Sequence, residues 1–257
     1  MGDVICGQKP QRVKHTNPDG SVVDVVVEGK HHIGFDVTMG DKVFLEEEAV
    51  VGDAAEIGSE SRVGRRSVVG PSCIIGINTN IYTDVRIHES VVVGRDVSIM
   101  DDVVVGDRSR ICDDVYLGVG VVVGSRSRIG TNISVGSQSK IGEYSFLGYG
   151  VRIGNRCVLP PTTVLIDKVQ IRENLKVGKV SCLHLEHGPS SYAVCLMPQC
   201  GYISIGCQCL PYTTWSGLSD EDLALMDGDE AVEYRKKYGS LITSTYEHLV
   251  RLYREES

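Results

Sequence analysis

The sequence predicts an all-β fold in which short strands wind into a closed three-sided prism, and three observations predict it. Aliphatic residues recur at every sixth position from Ile33 to Val177, 25 in succession, without one insertion or deletion. Glycine follows the aliphatic residue in 17 of those 25 hexads. The 257 residues include 37 valines and 29 glycines against 3 phenylalanines and 1 tryptophan, a recipe that disfavours helix and favours a pleated, packed surface. A short strand with alternating inward side chains needs a permissive turn after it, and the glycine is expected to supply that turn. Three such units of six residues close a triangle. The position four after each aliphatic residue is usually small or Val, as at Ala55, Ser61, Ser67, Cys73 and Ser145, which marks these as small inward sites.

Over roughly residues 31–178 this hexad resembles the hexapeptide-repeat superfamily. The resemblance implies a left-handed parallel β-helix with 18 residues per coil, and about eight coils at ~4.8 Å each give a prism on the order of 40 Å long. It also implies a homotrimer with threefold symmetry and sites between neighbouring prisms. The activity it implies is acyl transfer from acyl-CoA or an acyl carrier to a small hydroxyl or amine acceptor, with a histidine as general base. No covalently bound cofactor is expected, and acyl-CoA enters as a co-substrate.

The flanks differ from the prism. Residues 1–30 contain two apolar runs around Asn17-Pro18-Asp19-Gly20, a β-hairpin expected to cap the open end and shield its unpaired edge. Residues 179–257 form a C-terminal β/α extension, in which SYAVCLMPQCGYISIGCQCLPY reads as two strands. Ser219, followed by Asp220, Glu221 and Asp222, reads as a helix N-cap, and Tyr234, Tyr238, Leu241, Ile242, Leu249 and Leu252 continue at helical spacing. The IGC...W...EYR spacing of this tail faintly resembles tails of uncharacterised phage-encoded proteins.

Composition narrows the classes further. No apolar run reaches the length of a membrane span, and the first residues lack the apolar core of a secretory signal, so a cytoplasmic protein without a membrane partner is expected. A net charge of -8 argues against a nucleic-acid backbone binder. The nine cysteines read as reduced thiols rather than a disulfide framework. His184, His187, Cys195, Cys200, Cys207 and Cys209 are a weak zinc candidate, because their spacings do not match the familiar Cys-x2-Cys pairs.

Residues preceding each aliphatic position point outward and sort onto three faces. One face carries Val50, Val68, Val104, Val122 and Val158, interrupted by Arg86 and Lys140. A valine stripe on a closed prism is an exposed apolar patch, and such patches mark interfaces, here that of the homotrimer. Where the repeat breaks its own rule, Tyr82, His88, Met100 and Cys112 replace glycine, with Tyr82 and Met100 stacked 18 residues apart. Asp84 and Arg86 point outward beside His88, so Asp84, Arg86, Tyr82 and Met100 are candidate substrate contacts around an anion-binding or acid-base site.

His88 is the only histidine inside the regular coils beyond the first, so the resemblance assigns it the general-base role. Family members place donor contacts in the last coils, where Lys168, Arg172, Lys176 and Lys179 form a basic end for a phosphate. The prism nevertheless lacks the long covering loop of many family enzymes. Two further readings therefore stand beside the enzyme: a non-catalytic structural or assembly protein, and a trimeric module that sequesters a small anion or nucleotide at the band of Asp84, Arg86 and His88.

Overall fold

The computed structural model describes residues 10–178, 180–187, 190–205 and 208–255. From His32–Ile33 to Gln170–Ile171 the chain forms strands of two residues, three at Val43–Leu45, repeating every six residues. They stack into three parallel sheets, one per face, and each strand pairs with those 18 residues before and after it. The result is a parallel β-solenoid of about eight coils. Among the described residues no helix is long and apolar enough to cross a membrane.

Alternation fills the prism. The hexad aliphatic residues from Met39 to Val177 are buried, none more than 4% exposed. Each fully buried Leu or Ile contributes roughly 1.5–3 kcal/mol, which makes this column the main stabilising element. The small inward residues do more than fit. Ser109 Oγ donates to the Gly124 carbonyl at 3.0 Å and accepts from the Ser127 amide at 3.2 Å, and Ser127 repeats the pattern one coil on. Cys73 and Cys157 occupy the same kind of position and donate their thiols to the carbonyls of His88 and Arg172 at 2.8 and 2.9 Å. Serine, threonine and cysteine thus satisfy corner carbonyls that no strand reaches.

The corners correct the expected role of glycine. The left-handed residue is not the glycine but the one two positions after it. Every sixth residue from Asp36 to Asn174 has φ between 54° and 68°, and it is glycine only at Gly120 and Gly150. The other 22 corners hold residues such as Asp84, Asp102 and Arg126, each costing on the order of 1 kcal/mol or more of backbone strain. That strain is offset by a repeated bond, in which the corner amide donates to the preceding coil, as Asp84 N does to the Arg65 carbonyl at 2.9 Å. The glycine answers a different need. A Cβ on Gly76 would lie 2.4 Å from the Gly94 carbonyl oxygen, so the close approach of coils requires its absence.

Both ends are closed by non-repeating segments. Gln11–Thr16 and Val22–Val27 form the expected antiparallel hairpin, and its second strand pairs with Val43–Leu45, extending one face by two strands. Asn17 in its turn is buried. Its Oδ1 accepts from the Met39 amide at 2.8 Å and its Nδ2 donates to the Met39 carbonyl at 3.0 Å, supplying bonds that a preceding coil would have made.

At the other end, four antiparallel strands replace the two expected: Ser181–His187, Ser190–Met197, Tyr202–Ile205 and Gln208–Pro211. Cys195 and Met197 join the prism core while Val194 and Leu196 face Trp215, Tyr234, Ile242 and Tyr246 of the terminal helices. The sheet is therefore sandwiched between the last coil and those helices. Helix Asp220–Glu255 buries Tyr234, Ile242 and Tyr246 against it. Leu241 and Leu252, read from spacing as part of that stripe, are exposed instead, because an interval of four from Tyr234 defines the buried line.

Ser219 caps this helix. The Asp222 amide donates to Ser219 Oγ at 3.1 Å, and the Ser219 amide donates back to Asp222 Oδ2 at 2.9 Å, a reciprocal capping box. The backbone bond from Ser219 is the main cause holding the Asp222 carboxyl below the usual carboxylate range. Ser219→Ala is expected to cost about 1 kcal/mol, read as a lower denaturation midpoint of the helical signal. An unchanged midpoint would remove the cap from this account.

Candidate functional site

The site is built where one face interrupts its valines. Arg86 lies between Val68 and Val104 in the parallel ladder, and its side chain is exposed. Two residues on, His88 turns the corner to the next face. Its amide donates to the Val105 carbonyl at 3.0 Å, and its carbonyl accepts the Cys73 thiol, so the backbone is held by the coils on both sides. The imidazole is half exposed, and its Nδ1 stands 3.8 Å from Oδ1 of Asp107. That carboxylate accepts from the Glu89 amide at 3.1 Å. Val68, Pro71, Arg86, His88, Glu89 and Asp107 line one shallow, open depression.

Asp107 was not among the residues singled out from sequence. It lies 18 residues beyond Glu89, hence one coil above it, and the repeat length alone places it beside His88. The 18-residue spacing was the signal that could have found it.

Asp84 departs from its expected part. It occupies a left-handed corner rather than the strand, and Arg66 from the preceding coil grips it with both ends of the guanidinium, at 2.7 and 2.5 Å. That hydrogen bond from Arg66 is the first cause holding the Asp84 carboxyl below its ordinary range. Asp84, Arg66, Asp102 and Arg86 line a second depression, so Arg86 is the residue shared by both. Tyr82 and Met100 sit at the corner before this face and His88 at the corner after it, with the strand Arg86–Ile87 between them. The structure does not gather them.

The basic end is also dispersed. Lys168 is at one corner, Arg172 follows strand Gln170–Ile171 at the next, and Lys176 continues the valine face through its bridge with Val158. Lys179 lies outside the described residues.

Of the Cys–His set, Cys195 and Cys209 are buried in the prism core and Cys200 packs against it. Cys195 is disulfide-bonded, which corrects the expectation of reduced thiols at that position, and Cys73, Cys112, Cys157, Cys200 and Cys209 are free. Burial pushes the thiols of Cys157, Cys200 and Cys209 upward. Cys207 and the side chains of His184 and His187 lie outside what is described. Among the described residues no three His, Cys, Asp or Glu side chains gather as for a metal ion.

The unbroken hexad and the three parallel faces together define the class as a hexapeptide-repeat parallel β-solenoid. No family model matches the chain, and none of the curated proteins does. Among solved structures it is similar to UDP-N-acetylglucosamine O-acyltransferase from Moraxella catarrhalis RH4, 16% identical over 85% of this chain and 95% of that one, TM-score 0.48. A hexapeptide transferase family protein from Anaplasma phagocytophilum is 14% identical over 55% of this chain and 79% of its own, TM-score 0.35. PerB from Caulobacter crescentus, solved with CoA and GDP-perosamine, is 14% identical over 55% of this chain and 53% of its own, TM-score 0.28.

Proposed function

We propose that the chain is an acyltransferase-like enzyme, working as a homotrimer, that moves an acyl group from acyl-CoA or an acyl carrier to the hydroxyl or amine of a small acceptor. The observation that carries this reading is His88, half exposed in a depression on the valine face with the Asp107 carboxylate on its Nδ1 side. With Nδ1 turned to a carboxylate, Nε2 is left to take the acceptor's proton. The acceptor atom then attacks the thioester carbonyl carbon, the carbon–sulfur bond breaks, and the proton on Nε2 passes to the departing thiolate. At 3.8 Å the His88–Asp107 contact is longer than a hydrogen bond, and such contacts tighten when substrate enters. Arg86 beside it offers a guanidinium to a phosphate or carboxylate of either substrate. Release of free thiol from acetyl-CoA, compared between wild type and His88→Ala, tests the reading.

The trimer follows from the same face. Val68 and Val158 are each 37% exposed, and the terminal helices pack on the C-terminal sheet through Trp215 and Tyr246. A neighbouring prism is the cover this reading supplies for the valines. Val104→Glu combined with Val122→Glu is expected to convert trimers to monomers in light scattering. A monomeric mass for the wild type would overturn the trimer.

One observation favours a non-catalytic assembly role: the corners run from Asp36 to Asn174 at unvarying six-residue spacing, with no loop to cover the depression. Thiol release by the wild type separates the two readings.

A further inference from the structure

Between the C-terminal sheet and the two terminal helices lies a cavity of about 60 Å³. Strand Tyr202–Ile205 alternates, so Ile203 and Ile205 face the helices while Ser204 turns to the prism, where its Oγ accepts from the Gln170 amide at 3.4 Å. Leu210 lies beside Ile203 in the antiparallel ladder and completes the apolar floor. Trp215, Leu218 and Leu223 form the walls.

One charge enters this apolar lining. Arg235, half-buried next to the buried Tyr234, borders the cavity with its guanidinium 5.6 Å from the Trp215 ring centre. It donates to the Leu218 carbonyl, and to that of Ser216 at 3.3 Å. Carbonyls orient a guanidinium without neutralising it, and these two engage two of its five N–H groups. The next residue, Lys236, has its charge answered by Glu233 at 2.9 Å. No carboxylate pairs with Arg235 among the described residues. A half-buried cation over apolar side chains is unfavourable, and an anion beside it offsets that cost.

We infer that this cavity is a binding site for a short-chain aliphatic carboxylate. The apolar lining takes the chain, and the guanidinium fork takes the two carboxylate oxygens. An apolar cavity of ~150 Å³ takes benzene, so about 60 Å³ limits the enclosed part of the chain to a few methylene groups. The two carbonyl bonds and the Trp215 ring hold the guanidinium in place before a ligand arrives, which lowers the ordering cost of binding. The inference rests on the C-terminal extension alone and is independent of acyl transfer at His88.

Calorimetric titration of the full chain with hexanoate, 1-hexanol and acetate, read together with the emission of Trp215, the only tryptophan of the chain, tests it. Hexanoate is expected to bind and to change that emission. Hexanol lacks the charge and acetate lacks the chain, and each is expected to bind at least tenfold more weakly. Arg235→Met keeps an apolar stem and removes the fork, so hexanoate is expected to weaken tenfold or more while hexanol is unchanged. Ala231→Leu sets a good helix former into the cavity and is expected to abolish binding of both. Circular dichroism checks that the helices persist in each variant. The ranking of the three probes on the wild type decides the matter even where a variant loses its fold. Absence of hexanoate binding by the wild type, binding that leaves Trp215 emission unchanged, acetate or hexanol binding equal to that of hexanoate, or wild-type hexanoate affinity in either folded variant would overturn the assignment.

Discussion

His88→Ala is expected to lower acyl transfer by about 10²–10⁴-fold, the usual contribution of a positioned general base. The coil itself should survive the change. The bonds that pin residue 88, its amide to Val105 and its carbonyl to the Cys73 thiol, are backbone bonds that alanine keeps, and the imidazole is half exposed rather than packed. Sedimentation of the variant as the wild-type species, together with lost thiol release from acetyl-CoA, is the expected pair of results. Asp107→Asn should give a smaller loss, because the amide still faces Nδ1 while the negative charge that stabilises an imidazolium is gone. Transfer at the wild-type rate by the alanine variant would take His88 out of the chemistry.

The largest effect on stability is expected from Gly76→Ala. The added Cβ would meet the Gly94 carbonyl oxygen at 2.4 Å and its carbon at 2.5 Å, and Gly94 is itself held to the Ile111 carbonyl by its amide at 2.8 Å. Neither coil can yield without lengthening a rung, so a cost of about 3 kcal/mol is expected, at the upper end for overpacking. Gly120→Asn is the matched control. Its φ of +67° is the corner conformation that asparagine adopts at Asn132 and Asn174, and a Cβ there meets only the Gln138 side chain at 3.8 Å. It should stay within about 1 kcal/mol of wild type, on the stabilising side, through the lower entropy of the unfolded chain. Chemical denaturation decides the matter, and equal shifts for the two variants would refute the division of labour at the corners.

Much of the fold was legible because a solenoid writes its geometry as a period. The hexad from Ile33 to Val177 specifies which residues face in, and the 18-residue sum specifies which share a face. Local conformation was less legible. Glycine's abundance after the aliphatic residue pointed to it as the permissive residue of the turn, whereas the residues with left-handed backbone are mostly Asp, Asn, Arg and Glu, types that carry no single compositional mark. The C-terminal sheet was undercounted because Val194 to Met197 is buried on both sides and shows no alternation to count. In the site, His88 and Arg86 stood out as breaks in their columns. Asp107 and the Arg66 grip on Asp84 did not, because both act across coils, between residues 18 or 19 apart that look ordinary in their own hexads.

The corner bond that joins each coil to the one before has a further meaning for how the molecule measures distance. Every chemical group on the prism has an address made of a column and a coil number, and moving it by 18 residues translates it about 5 Å along the axis without rotating it. The chain is in effect a ruler with equal divisions. Groups in one column, such as Arg86 and Lys140 three coils on, are therefore held at separations set by integers of coils, and length can be added or removed elsewhere in whole divisions while those separations stay unchanged.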